Sequence, residues 1–236
     1  MHIHESNDAA LAANGRRPNP APLRVVCFST YVSDPSRQTP RHRDVRNFLL
    51  ALRGERFEGV SKIPVHSEER ELASLNANDS IDWFGEMVAD YLISNGFTSR
   101  FALIPVPTSK ATLDSSAGPW TSLLAISIAS NGLDDVEVVD VLRWRRPLEP
   151  PSRRSDSVNA LYENLAVTRR LDPDVPVMLV DYLYTASDTI RACGARLSDQ
   201  GVSVALALCA GRTTDQTDLG AFTVVAGEVA PFEPGH

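Results

Sequence analysis

The sequence predicts an α/β fold: a parallel, twisted sheet flanked by helices, with an N-terminal extension. Short apolar runs alternate with segments of helical period across the last two-thirds of the 236 residues. This alternation is typical of a parallel sheet covered on both faces. The clearest apolar run, at 177–181, ends in an acid and is followed by a helical pattern that stops at Gly201. A hydrophobic content of 43% with 22% charged residues indicates a globular protein.

The first 95 residues contain one predicted strand and two predicted helices. An apolar stretch over 24–33 predicts the strand. Apolar residues at helical spacing predict a helix over 45–53 that ends at Gly54, and a stronger one over 80–95 that ends at Gly96.

In the rest of the chain, apolar runs predict strands and apolar residues at helical spacing predict helices. The predicted elements are strands over 101–106, 135–142, 177–181, 202–209 and 222–225, helices over 119–130 and 189–200, and a short helical or mixed segment over 158–167. Three prolines within 143–157 argue against regular structure there. Right-handed crossovers place the loops 107–118 and 181–189 at one edge of the sheet.

The chain divides into four parts by composition. Residues 1–22 are predicted to form a flexible leader without the apolar core of a signal peptide, and 226–236 a tail. Residues 23–79 are an N-terminal segment, a cap or a sheet extension, and 80–225 form the main domain. Because no apolar run reaches the ~18 residues of a membrane span, the expected location is the cytoplasm, with no membrane partner.

The composition and motifs of the chain also exclude several classes of function. The net charge of −7 argues against a general nucleic-acid coat. The three cysteines, which form no CxxC pair, are predicted to be buried thiols. The sequence contains no Walker loop, HExxH or GxSxG motif, and no set of metal ligands is predicted.

An arginine-rich segment at 143–154 stands out from the acidic chain. It contains five arginines and one acid around Trp144. Three interpretations remain open at this point: a solvated loop with Trp144 packed on the core, a mobile loop that closes over a ligand, or a surface for single-stranded nucleic acid.

The strand at 177–181 is followed by a loop suited to an anion. Asp181 ends the predicted strand, and Thr185, Ser187 and Thr189 supply hydroxyl donors before a helix. Unpaired N–H groups and the dipole at a helix start favour a phosphate. Asp188 would repel that phosphate or cap the helix. The local chemistry therefore predicts a phosphate beside a group with hydroxyls.

This stretch resembles the signature of type I phosphoribosyltransferases, in which an apolar strand and two acids precede a Thr-Thr-Gly-x-Thr loop. Asp181 matches the first acid, and Thr185 and Thr189 match the first and last threonines. Three positions depart from the signature: Tyr182 replaces the second acid, Ala186 the second threonine and Ser187 the glycine.

Three further segments, in the same order as in the family, extend the resemblance over residues 80–213. Residues 104–110, with Lys110, resemble the family's pyrophosphate loop. The segment from Arg154 to Leu165 and the strand 207–212 are similar to those of competence-protein-F-type members.

The resemblance implies a substrate and a role for each matched residue. The family uses 5-phosphoribosyl pyrophosphate with Mg²⁺, and catalysis is mostly positioning and electrostatics. Asp181 would accept a ribose hydroxyl and Lys110 would face the pyrophosphate as the catalytic pair. The ligand-binding residues would be Thr185, Ala186, Ser187, Asp188, Thr189, Tyr182 and Arg154.

The departures favour one of three hypotheses. The first is a protein that binds a ribose-5-phosphate ligand, either 5-phosphoribosyl pyrophosphate or a nucleotide, with weak or lost transferase turnover. The alternative is an active Mg²⁺-dependent phosphoribosyltransferase on an unidentified base. The third, least favoured, is a nucleic-acid-associated protein that uses Arg143 to Arg154. A homo-oligomer or a protein partner fits the first hypothesis.

Overall fold

The computed structural model describes residues 22–116, 118–149, 157–185 and 188–234. The strands are β1 Leu23–Cys27, β2 Thr30–Val32, β3 Ser61–Val65, β4 Glu68–Leu72, β5 Phe101–Pro105, β6 Val136–Val138, β7 Leu142–Trp144, β8 Leu165–Val167, β9 Val177–Tyr184, β10 Val204–Thr214 and β11 Val225–Val229. The helices are α1 Pro40–Leu52, α2 Asp79–Ser94, α3 Thr121–Ala129, α4 Val158–Asn164 and α5 Asp188–Ser198. Among these helices, none has the length and apolar content to cross a membrane.

A seven-stranded, mostly parallel sheet forms the centre of the molecule. Its strand order is β11-β1-β10-β9-β5-β6, and β2 pairs with the far end of β10. The five strands from β1 to β6 in this order are parallel, whereas β11 is antiparallel to β1. The predicted α/β class is therefore confirmed, with a mixed rather than a fully parallel sheet.

Helices cover both faces of this sheet. Side chains alternate between faces along each strand, so Met178 packs in the core under α1, α2 and α3, whereas its neighbour Leu179 packs in the core under α4 and α5. In β5, Leu103 likewise packs in the core under α1, α2 and α3, and Ile104 packs in the core under α4 and α5. Full burial of each such side chain stabilises the fold by roughly 1.5–3 kcal/mol.

Helices α2 and α3 approach each other closely at Gly85. A Cβ at this position would lie 2.1 Å from the Ser127 Oγ and 2.7 Å from the Ser127 carbonyl carbon. The Ser127 hydroxyl also donates to the Ile81 carbonyl of α2 at 2.9 Å. Glycine at residue 85 is therefore required by the helix contact, although glycine inside a helix costs about 1 kcal/mol relative to alanine.

Helix α1 begins at Pro40, well before the predicted start at residue 45. The Thr39 Oγ1 accepts the His42 N–H at 3.4 Å, and the Thr39 N–H donates to the His42 Nδ1 at 3.3 Å. Pro40 fills the first helical position, where its missing N–H costs nothing. Because this first turn is polar, the apolar spacing indicates a helix only from Val45 onward. The predicted stop is confirmed, since Gly54 has a φ of +69°.

Two small antiparallel sheets, each of two strands, are missing from the sequence prediction. The hairpin β3–β4 contains Pro64, which weakens a strand pattern. The two-stranded sheet of β7 and β8 pairs Trp144 with Leu165, so the prediction that residues 143–157 lack regular structure is wrong for the first two of them. The three prolines of residues 143–157 follow β7 in the sequence and do not interrupt its pairing with β8.

The turn of the β3–β4 hairpin is joined to α2 by a charged cluster. His66, with a positive φ of 55°, places its ring nitrogens against the carboxylates of Asp90 and Glu86. Arg70 donates two hydrogen bonds to Glu86, each 2.8 Å long. The pKa of His66 is raised, mainly by the hydrogen bond to Asp90, and that of Glu86 is lowered, mainly by Arg70.

Replacing His66 with glutamine is expected to remove a pH-dependent part of the stability. The folded-state pKa of His66 lies above 6.5, the ordinary pKa of a histidine. Its contribution to stability is therefore fully present below pH 6.5 and is lost as the pH rises through the folded-state pKa. Thermal unfolding of both proteins at about pH 6 and about pH 8 checks this. The difference in unfolding temperature between wild type and H66Q should be larger at the lower pH. An equal difference at both pH values would contradict the expectation.

Candidate functional site

The winding of the sheet reverses between β5 and β9. After β5 the chain passes through α3 to β6 on one side, whereas after β9 it passes through α5 to β10 on the other. Helices α3 and α5 cover opposite faces, so the two loops diverge just beyond the paired residues Pro105 and Val180. The loops 107–118 and 181–189 therefore lie at one edge, as predicted. Open α/β sheets bind ligands in the crevice at such a position.

Asp181 lies where β9 extends past the end of β5. The prediction ended this strand at Asp181, but β9 continues to Tyr184 because its pairing with β10 continues as far as Arg212. Asp181 is half-buried, and one of its oxygens accepts the Tyr182 backbone N–H at 2.7 Å. A carboxylate thus stands beside the loop that follows β5.

Buried thiols lie near Asp181 on the α5 side of the sheet. The pKa of Cys193 is raised by burial and further by the charge of Asp181. The pKa of Cys209 is raised by a hydrogen bond with Cys27, by burial and by Asp181. All three cysteines are free and buried, as predicted.

The hydroxyl-bearing loop joins β9 to α5. Thr185 is exposed directly after β9, and Thr189 is half-buried in the first turn of α5. Ala186 and Ser187 lie outside the described residues. An eleven-residue helix directs the positive end of its dipole at this loop, which favours an anion there.

Asp188 is the first residue of α5 and pairs with Arg191 of the same turn. The distance between the Arg191 Nη1 and the Asp188 Oδ1 is 3.3 Å. An acid in the first turn stabilises a helix, and the arginine offsets part of the repulsion that this acid would exert on a phosphate. Asp188 thus lies in the first turn of α5, where its charge favours the helix, and its capping of the helix stays a prediction.

Tyr182 packs under the helices α1 and α3. Its ring forms an edge contact with Trp120 at 5.4 Å, and the Arg53 guanidinium lies over it at 5.4 Å. Burial raises the pKa of Tyr182 to about 12, although Arg53 opposes this shift. At the position where the resemblance implies a second acid, the chain therefore has a neutral ring that supports the core.

Lys110 is exposed in the loop that follows β5. This loop is held at its base: the Val106 N–H donates to the Val180 carbonyl at 2.9 Å, and the Thr121 hydroxyl donates to the Val106 carbonyl at 2.7 Å. The Trp144 indole N–H donates to the Pro107 carbonyl at 3.1 Å. The loop thus presents Lys110 from a backbone that is fixed on both sides.

The described part of the arginine-rich segment packs on this same loop. Trp144 is fully buried, so the interpretation in which it packs on the core is the one the structure shows, and it offers no face to a nucleic-acid base. Arg143 forms an ion pair with Asp140, whereas Arg145 and Arg146 are exposed. Arg154 lies outside the described residues.

Two further arginines near the crevice are absent from the predicted site. Arg53 reaches Tyr182 from the end of α1, and no sequence signal connects residues so far apart. Arg212 lies opposite Tyr184 in β10, and both line a cavity of about 80 Å³ next to Cys27. A basic residue at the end of an apolar strand is a signal that could have identified Arg212.

Comparison of the chain with protein-family models and with curated proteins gave no match.

Proposed function

We propose that the protein binds a ribose-5-phosphate ligand, 5-phosphoribosyl pyrophosphate or a nucleotide, in the crevice at the carboxyl ends of β5 and β9. The supporting observation is that the reversal of the sheet winding brings Asp181, the Thr185–Thr189 loop and the Lys110 loop to one edge. A carboxylate, hydroxyl donors and an ammonium group are the partners that a phosphorylated sugar requires.

Each group has a distinct role in this proposal. Asp181 accepts a hydrogen bond from a ribose hydroxyl, which is a strong, charge-assisted interaction. The hydroxyls of Thr185, Ser187 and Thr189, with the amides at the start of α5, hold the 5′-phosphate. Lys110 faces a second anionic group.

The packing of Tyr182 favours binding with weak or lost turnover. A transferase of the type that the chain resembles places a second acid here, and Tyr182 supplies no carboxylate. The loss of one charge-assisted hydrogen bond costs ~1.5–3 kcal/mol, which corresponds to roughly a ten- to a hundredfold weaker interaction. An active Mg²⁺-dependent phosphoribosyltransferase on an unidentified base is the alternative, since Asp181 and Lys110 are both accessible at the crevice. Release of pyrophosphate from 5-phosphoribosyl pyrophosphate in the presence of candidate bases separates the two.

The donor set fits a Mg²⁺ ion that arrives with its ligand. No group of three or more His, Cys, Asp or Glu residues suited to a metal occurs within the described ranges. Mg²⁺ commonly keeps several waters and binds through one or two carboxylates plus substrate phosphates. Asp181 would supply the one carboxylate, and the ion would neutralise phosphate charge when bound.

Replacing Asp181 with asparagine, or Thr189 with alanine, is expected to weaken the binding of 5-phosphoribosyl pyrophosphate and Mg²⁺ by roughly ten- to a hundredfold. Each change removes a partner of the ligand while leaving the strand or helix in place. Isothermal titration calorimetry measures the affinities, and thermal unfolding confirms that the variants fold.

Matched controls lie at the opposite edge of the sheet. Asp135 and Thr98 are exposed and precede β6 and β5, so D135N and T98A should bind as wild type does. A wild-type protein that binds neither 5-phosphoribosyl pyrophosphate nor any nucleoside monophosphate would refute the proposed function.

A further inference from the structure

A cavity separate from the crevice lies at the opposite edge of the sheet. It is bounded by Arg100, which precedes β5, by Val177 at the start of β9, and by residues of the segment 169–175. Its volume is about 180 Å³, which is below the ~300–1,000 Å³ of pockets that enclose drug-sized ligands. The cavity therefore suits a small molecule.

Part of the cavity lining consists of apolar side chains that belong to the core under α4 and α5. We call this part the apolar floor, and its buried members are Ala102, Val139, Leu171 and Val177. The partly buried Val175 lies beside them. Since the removal of apolar surface from water is favourable, the apolar floor favours a ligand with an apolar body.

The rest of the lining carries both signs of charge. This charged rim consists of three arginines and two acids, Arg100, Arg169, Arg170, Glu137 and Asp172. The Arg169 guanidinium donates to the Glu137 Oε1 at 3.2 Å. The Arg100 Nε lies 3.9 Å from the Asp135 Oδ1. Because carboxylates accompany the arginines, the rim does not suit a ligand that carries negative charge alone.

Arg170 and Asp172 differ from the other residues of the charged rim. No ion pair joins either of them to a residue in the described part of the chain, whereas Arg169 and Arg100 each have an acid partner there. Asp172 accepts the Asp174 N–H through Oδ1, at 3.0 Å. Arg170 and Asp172 are two positions apart, so their Cα atoms are at most about 7 Å from each other. The rim therefore offers one cation and one anion close together.

The segment that carries these two residues is held at both ends. The Thr168 N–H donates to the Val141 carbonyl at 2.9 Å, and the Ala102 N–H donates to the Pro176 carbonyl at 3.0 Å. A preorganised backbone lowers the entropy cost of binding.

We propose that this cavity binds an apolar α-amino acid: the carboxylate contacts Arg170, the ammonium group contacts Asp172, and the side chain packs on the apolar floor. A free amino acid is a zwitterion at neutral pH, so it offers one anion and one cation on the same carbon atom. Arginine forms bidentate hydrogen bonds with a carboxylate. An anion without an ammonium group would be repelled by Asp172, and an amine without a carboxylate would be repelled by Arg170. This inference goes beyond the proposed function and does not depend on it.

The test uses leucine and three analogues that each lack one of its groups. Isocaproate lacks the ammonium group, isoamylamine lacks the carboxylate, and glycine lacks the apolar side chain. Titrations of the full chain followed by nuclear magnetic resonance measure the affinities. Each analogue is expected to bind roughly ten- to a hundredfold more weakly than leucine does.

Two variants assign the contacts. R170A is expected to weaken the binding of leucine roughly ten- to a hundredfold without weakening that of isoamylamine, which has no carboxylate. D172N keeps the oxygen that accepts the Asp174 N–H. It is expected to weaken the binding of leucine to a similar extent without weakening that of isocaproate, which has no ammonium group.

Matched controls lie on the helices that cover the other face of the sheet. R46A and D82N remove the same charges from exposed positions of α1 and α2, and both should bind leucine as wild type does. If the controls lose as much leucine affinity as R170A and D172N do, the effect is only net charge and the inference fails.

The wild-type protein alone can overturn the inference, so the test does not depend on the folding of any variant. The inference fails if wild type binds none of leucine, valine and phenylalanine, or if it binds isocaproate as tightly as leucine. Thermal unfolding shows whether each variant is folded. D181N, which tests the proposed function, should bind leucine as wild type does, so the failure of one proposal leaves the other standing.

Discussion

Replacing Trp144 with alanine is expected to destabilise the protein by about 3–5 kcal/mol. Trp144 is fully buried and is among the largest side chains in the core. The substitution leaves a cavity beneath the loop after β5 and removes the hydrogen bond to the Pro107 carbonyl. Urea unfolding measures the loss of stability, because the change in midpoint reports the free energy when the slope is unchanged.

The conservative variant W144F separates packing from the hydrogen bond. Phenylalanine keeps most of the apolar volume but leaves the Pro107 carbonyl without its donor, which costs about 1–3 kcal/mol. If W144F is as stable as wild type, the hydrogen bond contributes little and the ring acts through packing alone. If W144A is also as stable as wild type, the buried placement of Trp144 is wrong.

Replacing Tyr182 with aspartate is expected to destabilise the protein by about 2–4 kcal/mol rather than to improve the site. The change restores the second acid of the phosphoribosyltransferase signature, so the sequence alone would favour tighter ligand binding. In the structure, however, the ring packs on Trp120 and Arg53. The change therefore removes apolar contacts and introduces a charge into a half-buried position.

The control for this prediction is Y182F, which keeps the ring and removes only the hydroxyl. Its stability should lie within about 1 kcal/mol of wild type. Unfolding midpoints and calorimetry with 5-phosphoribosyl pyrophosphate give both readouts. A Y182D protein of wild-type stability that binds this ligand more tightly would show that residue 182 faces the ligand.

Strong local patterns account for the parts of the fold that the sequence predicts well. The run at 177–180 is buried in the structure, since four successive apolar residues are typical of a strand covered on both faces. The helix stops at Gly54, Gly96 and Gly201 hold as well, since each of these glycines has a positive φ.

Short or polar elements are the parts that the sequence does not predict. The three residues of β7 are too few to show an alternation, and the prolines that follow conceal it. The first turn of α1 depends on Thr39 and His42 capping each other, which is a side-chain geometry and not an apolar pattern. In both cases a few specific hydrogen bonds outweigh the weak local preference.

The residues near the crevice also fall into two groups: those that the sequence identifies, and those that only the fold brings together. Asp181, Thr185 and Thr189 could be named from the sequence because they follow one another along a single strand, loop and helix. Arg53 could not be connected to Tyr182, or Trp144 to Pro107, because these contacts join segments far apart in the chain.

The amino-acid sequence by itself therefore determined the α/β class, the buried central strand and the hydroxyl-bearing loop after it, since local periodicity and side-chain chemistry are written in consecutive residues. The tertiary structure alone decided the order of the strands, the face toward which Tyr182 packs, and the packing of Trp144 on the loop after β5. These depend on backbone pairing and close packing between distant segments, whose free energy no local window of sequence contains.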